Sequence, residues 1–130
     1  MKVDREPPRT TVGSAEWFSG NVFYETYVEP TEHSQMLVGL VRFAPAARTT
    51  WHSHARGQTI YIVEGIAWVQ RRGGRIEIAR AGARVVFEPF EEHWHGAAID
   101  SFMSHLAMYE IDDRDTIGNA VTDQEYRAGP

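Results

Sequence analysis

The stretch that decides the fold is Thr50–Gln58, TWHSHARGQ, read together with Glu92–Gly96, EHWHG. Each carries a His-x-His pair, in a chain with only six histidines. On a β-strand, residues two apart project from the same face. His52 and His54 therefore point together, as do His93 and His95. If both strands line a barrel, their imidazoles converge in its interior. Gln58 opens the next apolar strand on the face of Ile60 and Ile62, so its amide oxygen joins them. Neutral imidazoles with one amide oxygen suit a borderline divalent cation such as Mn, Fe, Ni or Zn. A lone strand histidine is ordinarily a surface or satisfied residue. Two pairs with an amide between them, all near strand edges, favour a metal site.

The rest of the composition narrows the field. The 130 residues amount to one domain, large enough to enclose a core. Hydrophobic residues make up 42% and aromatics 12%, the range of globular rather than disordered chains. A formal charge of −5 with scattered Arg argues against nucleic acid or an anionic membrane as partner. The absence of cysteine removes disulfides, thiolate nucleophiles and Cys-ligated metals. Residues 1–14 hold no apolar segment of the kind a signal peptide needs, and no apolar run is long enough to span a bilayer. A cytoplasmic location is expected.

Residues 1–16 are polar, carry Pro7-Pro8 and read as an N-terminal arm; residues 17–130 form a single domain. From Trp17 to Tyr109, runs rich in Val, Ile, Tyr, Phe and Trp alternate with Gly and Pro breaks. Strands are predicted near 22–28, 35–43, 49–53, 58–63, 66–71, 75–79, 84–88, 92–97 and 102–111. Arg72-Gly73-Gly74 is the clearest turn, with two glycines in positive φ closing a hairpin over 66–79. Gly65 and Gly82 mark two further bends. Thr122-Asp123-Gln124-Glu125 matches a capping box, so a short helix is predicted from 122. Spacing alone implies an all-β sandwich or barrel.

HSHARGQTIYIVEG resembles the first cupin motif, His-x-His-x3-Glu-x6-Gly, with His52, His54, Gln58 and Gly65 at its spacings. GARVVFEPFEEHWHG resembles the second: Gly82 precedes His93 by the family interval. Pro89 is displaced by one, and Phe90-Glu91 stand where Pro-x-Gly is usual. Gln58 replaces the usual Glu, and Ala97 stands where an Asn is common. The resemblance implies a cupin double-stranded β-barrel (jelly-roll) with one metal inside. ARTTWHSHARGQTIYIVEGIAWVQRRGG, EHWHGA, MSHLA and VTDQEYR together are similar to small bacterial cupins known as manganese-dependent hydroxynitrile lyases. That likeness implies the ligands His52, His54, Gln58 and His93, one divalent ion per chain, Mn(II) before Fe, Ni or Zn, and His105 as catalytic base. It also implies cleavage of a cyanohydrin such as (R)-mandelonitrile. Tyr109 departs from the lyases, where a smaller amide sits, and would reshape the pocket.

The residues support these roles independently. Gln in place of Glu removes one negative charge from around the ion and makes it a stronger Lewis acid. His105 shares strand parity with Met103, Ala107 and Tyr109, so it enters the cavity without being a ligand, as a base should. His95 points inward with His93, as a pocket or satisfied core residue. Thr49 is placed to hydrogen-bond a substrate oxygen. Gly39 and Val41 form a small apolar wall. His33, in a polar turn, is solvated. Trp51, Trp68 and Trp94 have the opposite parity and pack against a second sheet or a partner. Trp51 and Trp68 with Leu106 and Met108 make an apolar outside that predicts a homodimer or homotetramer, and the arm is free to extend a partner's sheet. Two other readings stay open: a metal-dependent cupin dioxygenase or other oxidoreductase, and a non-catalytic small-molecule-binding cupin.

Overall fold

Alternating apolar runs become antiparallel strands almost everywhere expected. A computed structural model describes all residues, Met1–Pro130. In chain order the strands are β1 (Thr11–Val12), β2 (Phe18–Ser19), β3 (Val22–Val28), β4 (Met36–Phe43), β5 (Arg48–Thr49) and β6 (His52–Ser53). They continue with β7 (Gln58–Arg71), β8 (Glu77–Arg80), β9 (Arg84–Phe87), β10 (His93–Ala97), β11 (Met103–Glu110) and β12 (Thr116–Ile117), before the helix α1 (Asp123–Arg127). One layer runs β1-β3-β4-β11-β7-β9, the other β2-β5-β10-β7-β8, with β6 and β12 continuing beside β10. This is the cupin barrel: two curled sheets sharing one long strand.

β7 is that shared strand, and it joins two predicted strands into one. At Gly65 it passes from the first sheet to the second with φ of +75°, and a Cβ there would overlap the Phe102 carbonyl. Only glycine meets both demands. The predicted 49–53 strand divides into β5 and β6, because Trp51 turns its backbone to the C-terminal segment: its N–H donates to Asn119 O at 3.0 Å and its carbonyl accepts from Gly118 N at 2.7 Å. In the 72–74 turn only Gly73 takes positive φ, +77°; Gly74 does not. The β7–β8 ladder ends at Val69–Glu77, so the loop is wider than a two-glycine turn. Phe90, at the family's glycine position, adopts φ of +63° without being glycine.

The main core fills the space between the sheets, with Phe43, Ile60, Ile62, Met103 and Ala107 among its members. A second cluster lies outside the second sheet: Trp51, Ile76, Trp94, Val121 and Tyr126. The predicted capping box exists, with Thr122 Oγ1 accepting from Glu125 N and Glu125 Oε2 from Thr122 N at 3.1 and 2.8 Å. It starts a one-turn helix whose Tyr126 seals this cluster. The tryptophans thus pack under their own C-terminal segment rather than against the other sheet. Trp51 and Trp94 are only 3% and 0% exposed. They do not form apolar outer surface. The arm also folds back: Thr11 and Val12 pair with Tyr24 and Phe23 of the same chain. No helix is long and apolar enough to cross a membrane.

Candidate metal centre

β6, β7 and β10 bring the first residues together. His93 pairs with His52 across the β10–β6 ladder, and Gln58 enters from the start of β7. A cavity of about 560 Å³ opens beside them. Its wall includes His52, His54, Gln58, His95 and His105, together with Thr49, Gly39, Val41 and Tyr109. His93 lies directly behind, fully buried and stacked on Phe87 with ring centres 3.6 Å apart. Every residue assigned to the metal site, the base or the pocket from the sequence therefore reaches one place. His33 is exposed and distant from it, paired with Glu32.

The backbone sets the imidazole tautomers. His52 Nδ1 donates to Thr50 O at 2.9 Å, and His93 Nδ1 donates to Glu91 O at 2.8 Å. Each ring then presents a bare Nε2 lone pair. Burial holds His52 down to about 4 and His93 to about 2, so neither ring is protonated near neutrality. His93 Nε2 lies 3.1 Å from Gln58 Oε1. With the ring proton committed to Glu91, two acceptors face one another, an arrangement that a cation held between them would satisfy. The donor set fits a divalent metal.

His52, His93 and His95 each offer a ring nitrogen within 4.8 Å of the other two, so three buried histidines could bind one ion. His52 and His93 belong to this set and to the sequence-derived one. His95 is not a satisfied core residue: its Nε2 is buried without a partner. His54 stands with its ring 5.2 Å from that of His52, and both its nitrogens are buried and unpartnered. Tyr109 packs on His54, ring centres 4.2 Å apart, and burial raises its phenol pKa.

His105 is fully buried on β11, its Nε2 3.0 Å from His95 Nδ1. Burial lowers its pKa to about 3 by desolvating the ring. It is a neutral imidazole and thus a proton acceptor. One proton lies between the two rings. With that proton on His105 Nε2, His95 Nδ1 accepts it and the unpartnered His105 Nδ1 is the free acceptor; with it on His95 Nδ1, His95 Nε2 is free to ligate but the lone pair of His105 is taken. Thr49 Oγ1 accepts from His95 N at 3.2 Å, which leaves its own O–H free to donate into the cavity.

Some of the wall had no sequence signal. Thr11, Val12, Ser14, Trp17 and Phe18 line the mouth because the arm folds over it. Tyr24, Thr26 and Leu37 could have been found from inward strand parity. Asp115, near His54, comes from a loop that periodicity does not address.

Comparison with known proteins agrees with this architecture. The family model described as "Cupin domain" matches residues 39–109. An (R)-mandelonitrile lyase from Granulicella tundricola is 40% identical over 117 residues, 88% of this chain and 89% of that protein. The crystal structure of a cupin-like protein from Thermotoga maritima superposes with a TM-score of 0.88 at 32% identity, covering 98% and 97% of the two chains. A polyketide cyclase from Streptomyces resistomycificus shares the fold at 15% identity, TM-score 0.76, over 98% and 90% of the chains.

Proposed function

The chain belongs to the cupin domain family, and on that premise we propose that it is a metal-dependent hydroxynitrile lyase. It would cleave, and in reverse form, cyanohydrins such as (R)-mandelonitrile. The observation that carries this reading is the joining of a metal-competent histidine cluster to a buried neutral His105 in one cavity. The 40% identical lyase supports the reaction class. His52, His54, Gln58 and His93 would hold the ion, and His95 Nδ1 would accept from His105 Nε2–H, which leaves His105 Nδ1 as the free acceptor. Mn(II) leads Fe, Ni and Zn through the resemblance to the manganese-dependent lyases; the imidazole and amide donors by themselves also suit Fe, Ni or Zn.

His105 takes the cyanohydrin hydroxyl proton. The O–H electrons form the new C=O bond, and the carbon–carbon bond breaks with its pair leaving on cyanide. The proton then passes to cyanide, giving aldehyde and hydrogen cyanide. Thr49 donates to the reacting oxygen and holds it toward His105. Gly39 and Val41 leave room for the side group, while Tyr109 narrows the His54 side. A divalent ion bound there supplies positive charge against which departing cyanide is stabilised.

His105→Ala should keep the metal and lose turnover by roughly 10²–10⁴, the usual worth of a positioned acid–base group. Cyanide release and metal content are measured on the same samples. Loss of metal along with activity would make His105 a ligand, and wild-type turnover would remove it from the chemistry.

Self-association is part of the same proposal, as a homodimer or homotetramer. Its support has moved from Trp51 and Trp68 to the outer face of the first sheet. There Leu106 stands between Leu40 and Tyr61, and Met108 between Val38 and Thr59. Tyr61 and Val86 remain 42% and 53% exposed on that face. Light scattering at micromolar concentration should show more than one chain per particle.

A further inference from the structure

We propose that Asp115 is a positioning residue of the metal centre, which supplies through His54 the negative charge that Gln58 withholds from the ion. The proposal rests on the metal-site reading above with His54 as a ligand, and goes beyond it by assigning a residue outside both cupin motifs.

His54 is 6% exposed, yet neither ring nitrogen has a hydrogen-bond partner. Buried polar groups are nearly always paired, so an imidazole orphaned at both ends marks something missing. The carboxylate facing it is Asp115, whose Oδ2 lies 3.7 Å from His54 Nδ1. That distance is too long for a hydrogen bond, and a small rotation of either side chain closes it.

Asp115 is held for this purpose. Its Oδ1 accepts from Ala55 N at 2.8 Å and its Oδ2 from Asp112 N at 3.2 Å. β12 follows at once and pairs with the ligand strand, Thr116 opposite Ser53 and Ile117 opposite His52. Ser53 Oγ and Thr116 Oγ1 lie 2.7 Å apart and lock that register. A two-residue strand thus ties the carboxylate to the segment that bears two of the histidines. Nearby Asp112 is neutralised by Arg56 and Arg114, whereas Asp115 forms no ion pair with Arg or Lys. Its charge is free to act on His54.

The consequence for the ion follows from charge alone. Where the usual cupin motif carries Glu, this chain carries neutral Gln58. A carboxylate on His54 Nδ1 fixes that proton, aims Nε2 at the ion and makes the ring a better donor. Negative charge is then one imidazole removed from the metal instead of touching it.

The test titrates Mn(II) alone into apo protein, following free Mn(II) by electron paramagnetic resonance, with no substrate present. Asp115→Asn should weaken binding about 10- to 100-fold, while the apo thermal midpoint falls only by the loss of one backbone hydrogen bond, the amide having one acceptor oxygen where the carboxylate has two. Gln58→Glu should raise affinity more in the Asp115→Asn background than in the wild type, whereas a merely structural Asp115 would give equal gains in both. Zinc-loaded wild type should show His54 protonated at Nδ1 in long-range proton–nitrogen correlation spectra, a readout that needs no variant to fold. Wild-type affinity in Asp115→Asn, equal gains from Gln58→Glu in the two backgrounds, or a His54 bound through Nδ1 would each overturn the proposal alone. A wild-type chain that takes up no Mn(II) would overturn the metal reading and this proposal with it.

Discussion

β10 has two faces one residue apart, and they are built on opposite principles. Inward, His93 and His95 join a cluster where His54 lacks both hydrogen-bond partners and His95 and His105 lack one each. Outward, Trp94 donates its indole N–H to Gln70 Oε1 at 2.8 Å. Beside it, Tyr126 donates to Ala97 O at 2.8 Å, and Arg48 donates to Val121 O while pairing with Asp123. Arg72 covers the Trp51 ring at 3.6 Å, although Trp51 Nε1 is left unpaired. An unmade buried hydrogen bond costs about 1–3 kcal/mol. The unmade bonds of the inner cluster therefore oppose stability in the apo chain, whereas most of the polar groups on the outer face are paired and support it. The contrast teaches where to look for function: in buried polar atoms that the fold brings together and does not satisfy.

The strongest way to break that contrast is to empty the inner face. His52→Ala, His54→Ala and His93→Ala should each abolish tight metal binding and cyanohydrin cleavage, since each removes a donor. Gln58→Ala should weaken binding less, an amide oxygen being the poorest of the four donors. His54→Ala should cost the apo protein least, since neither of its ring nitrogens is hydrogen-bonded, whereas His52→Ala and His93→Ala also lose a bond to a backbone carbonyl and, for His93, the stack on Phe87. Metal content by elemental analysis, set beside apo thermal midpoints, checks both halves. Stoichiometric metal in all three histidine variants would mean the site is elsewhere.

Acid should separate the faces next. His52, His93, His95 and His105 all have pKa values pushed below the usual 6.5 by burial. Unfolded, these rings titrate near 6.5; folded, they resist protonation until about 4 for His52, 3 for His105 and 2 for His93. Between those limits the unfolded chain binds more protons, so stability rises with pH. It is complete above about 6.5 and falls as pH drops, by about 1 kcal/mol per pH unit for each histidine. Apo thermal melts from pH 7 to 5 should show a steep loss. Bound metal should delay it until ligand protonation releases the ion. A flat apo profile would mean that the rings are already protonated or solvated.

How much of this was legible depended on periodicity. His52, His54, Gln58, His93, His95 and His105 were placed by period-two parity, which survives any twist of the sheet. The capping box at Thr122 was equally local. What parity could not provide was the partner of each outward residue. Trp51, Trp68 and Trp94 pointed away from the ligands as expected, but a one-turn helix covers them, and sequence separation hides that contact. Gly65 is legible as a break and not as a crossing, since the same glycine would end one strand or bend it into another sheet. Asp115 and the mouth-forming arm lie in segments without a repeating pattern. Their positions follow from tertiary closure alone.

The smallest expected effect asks whether the two faces are coupled through the strand they share. Tyr126→Phe removes only the hydroxyl that donates to Ala97 O, at the end of β10 opposite His93. The ring keeps its packing against Trp68 and Trp94, with centres 5.0 and 5.8 Å away. The loss should be that of one net hydrogen bond, about 1 kcal/mol, read from chemical denaturation. Arg48 still anchors the C-terminal segment through Val121 and Asp123, so the strap should stay in place. His93 is fixed at its own end by Glu91 O and by the stack on Phe87, neither of which involves Tyr126. Metal affinity per folded molecule should therefore be unchanged, and the contrast between the faces holds. A matching fall in metal affinity would instead show that the outer strap sets the position of the inner ligands along β10.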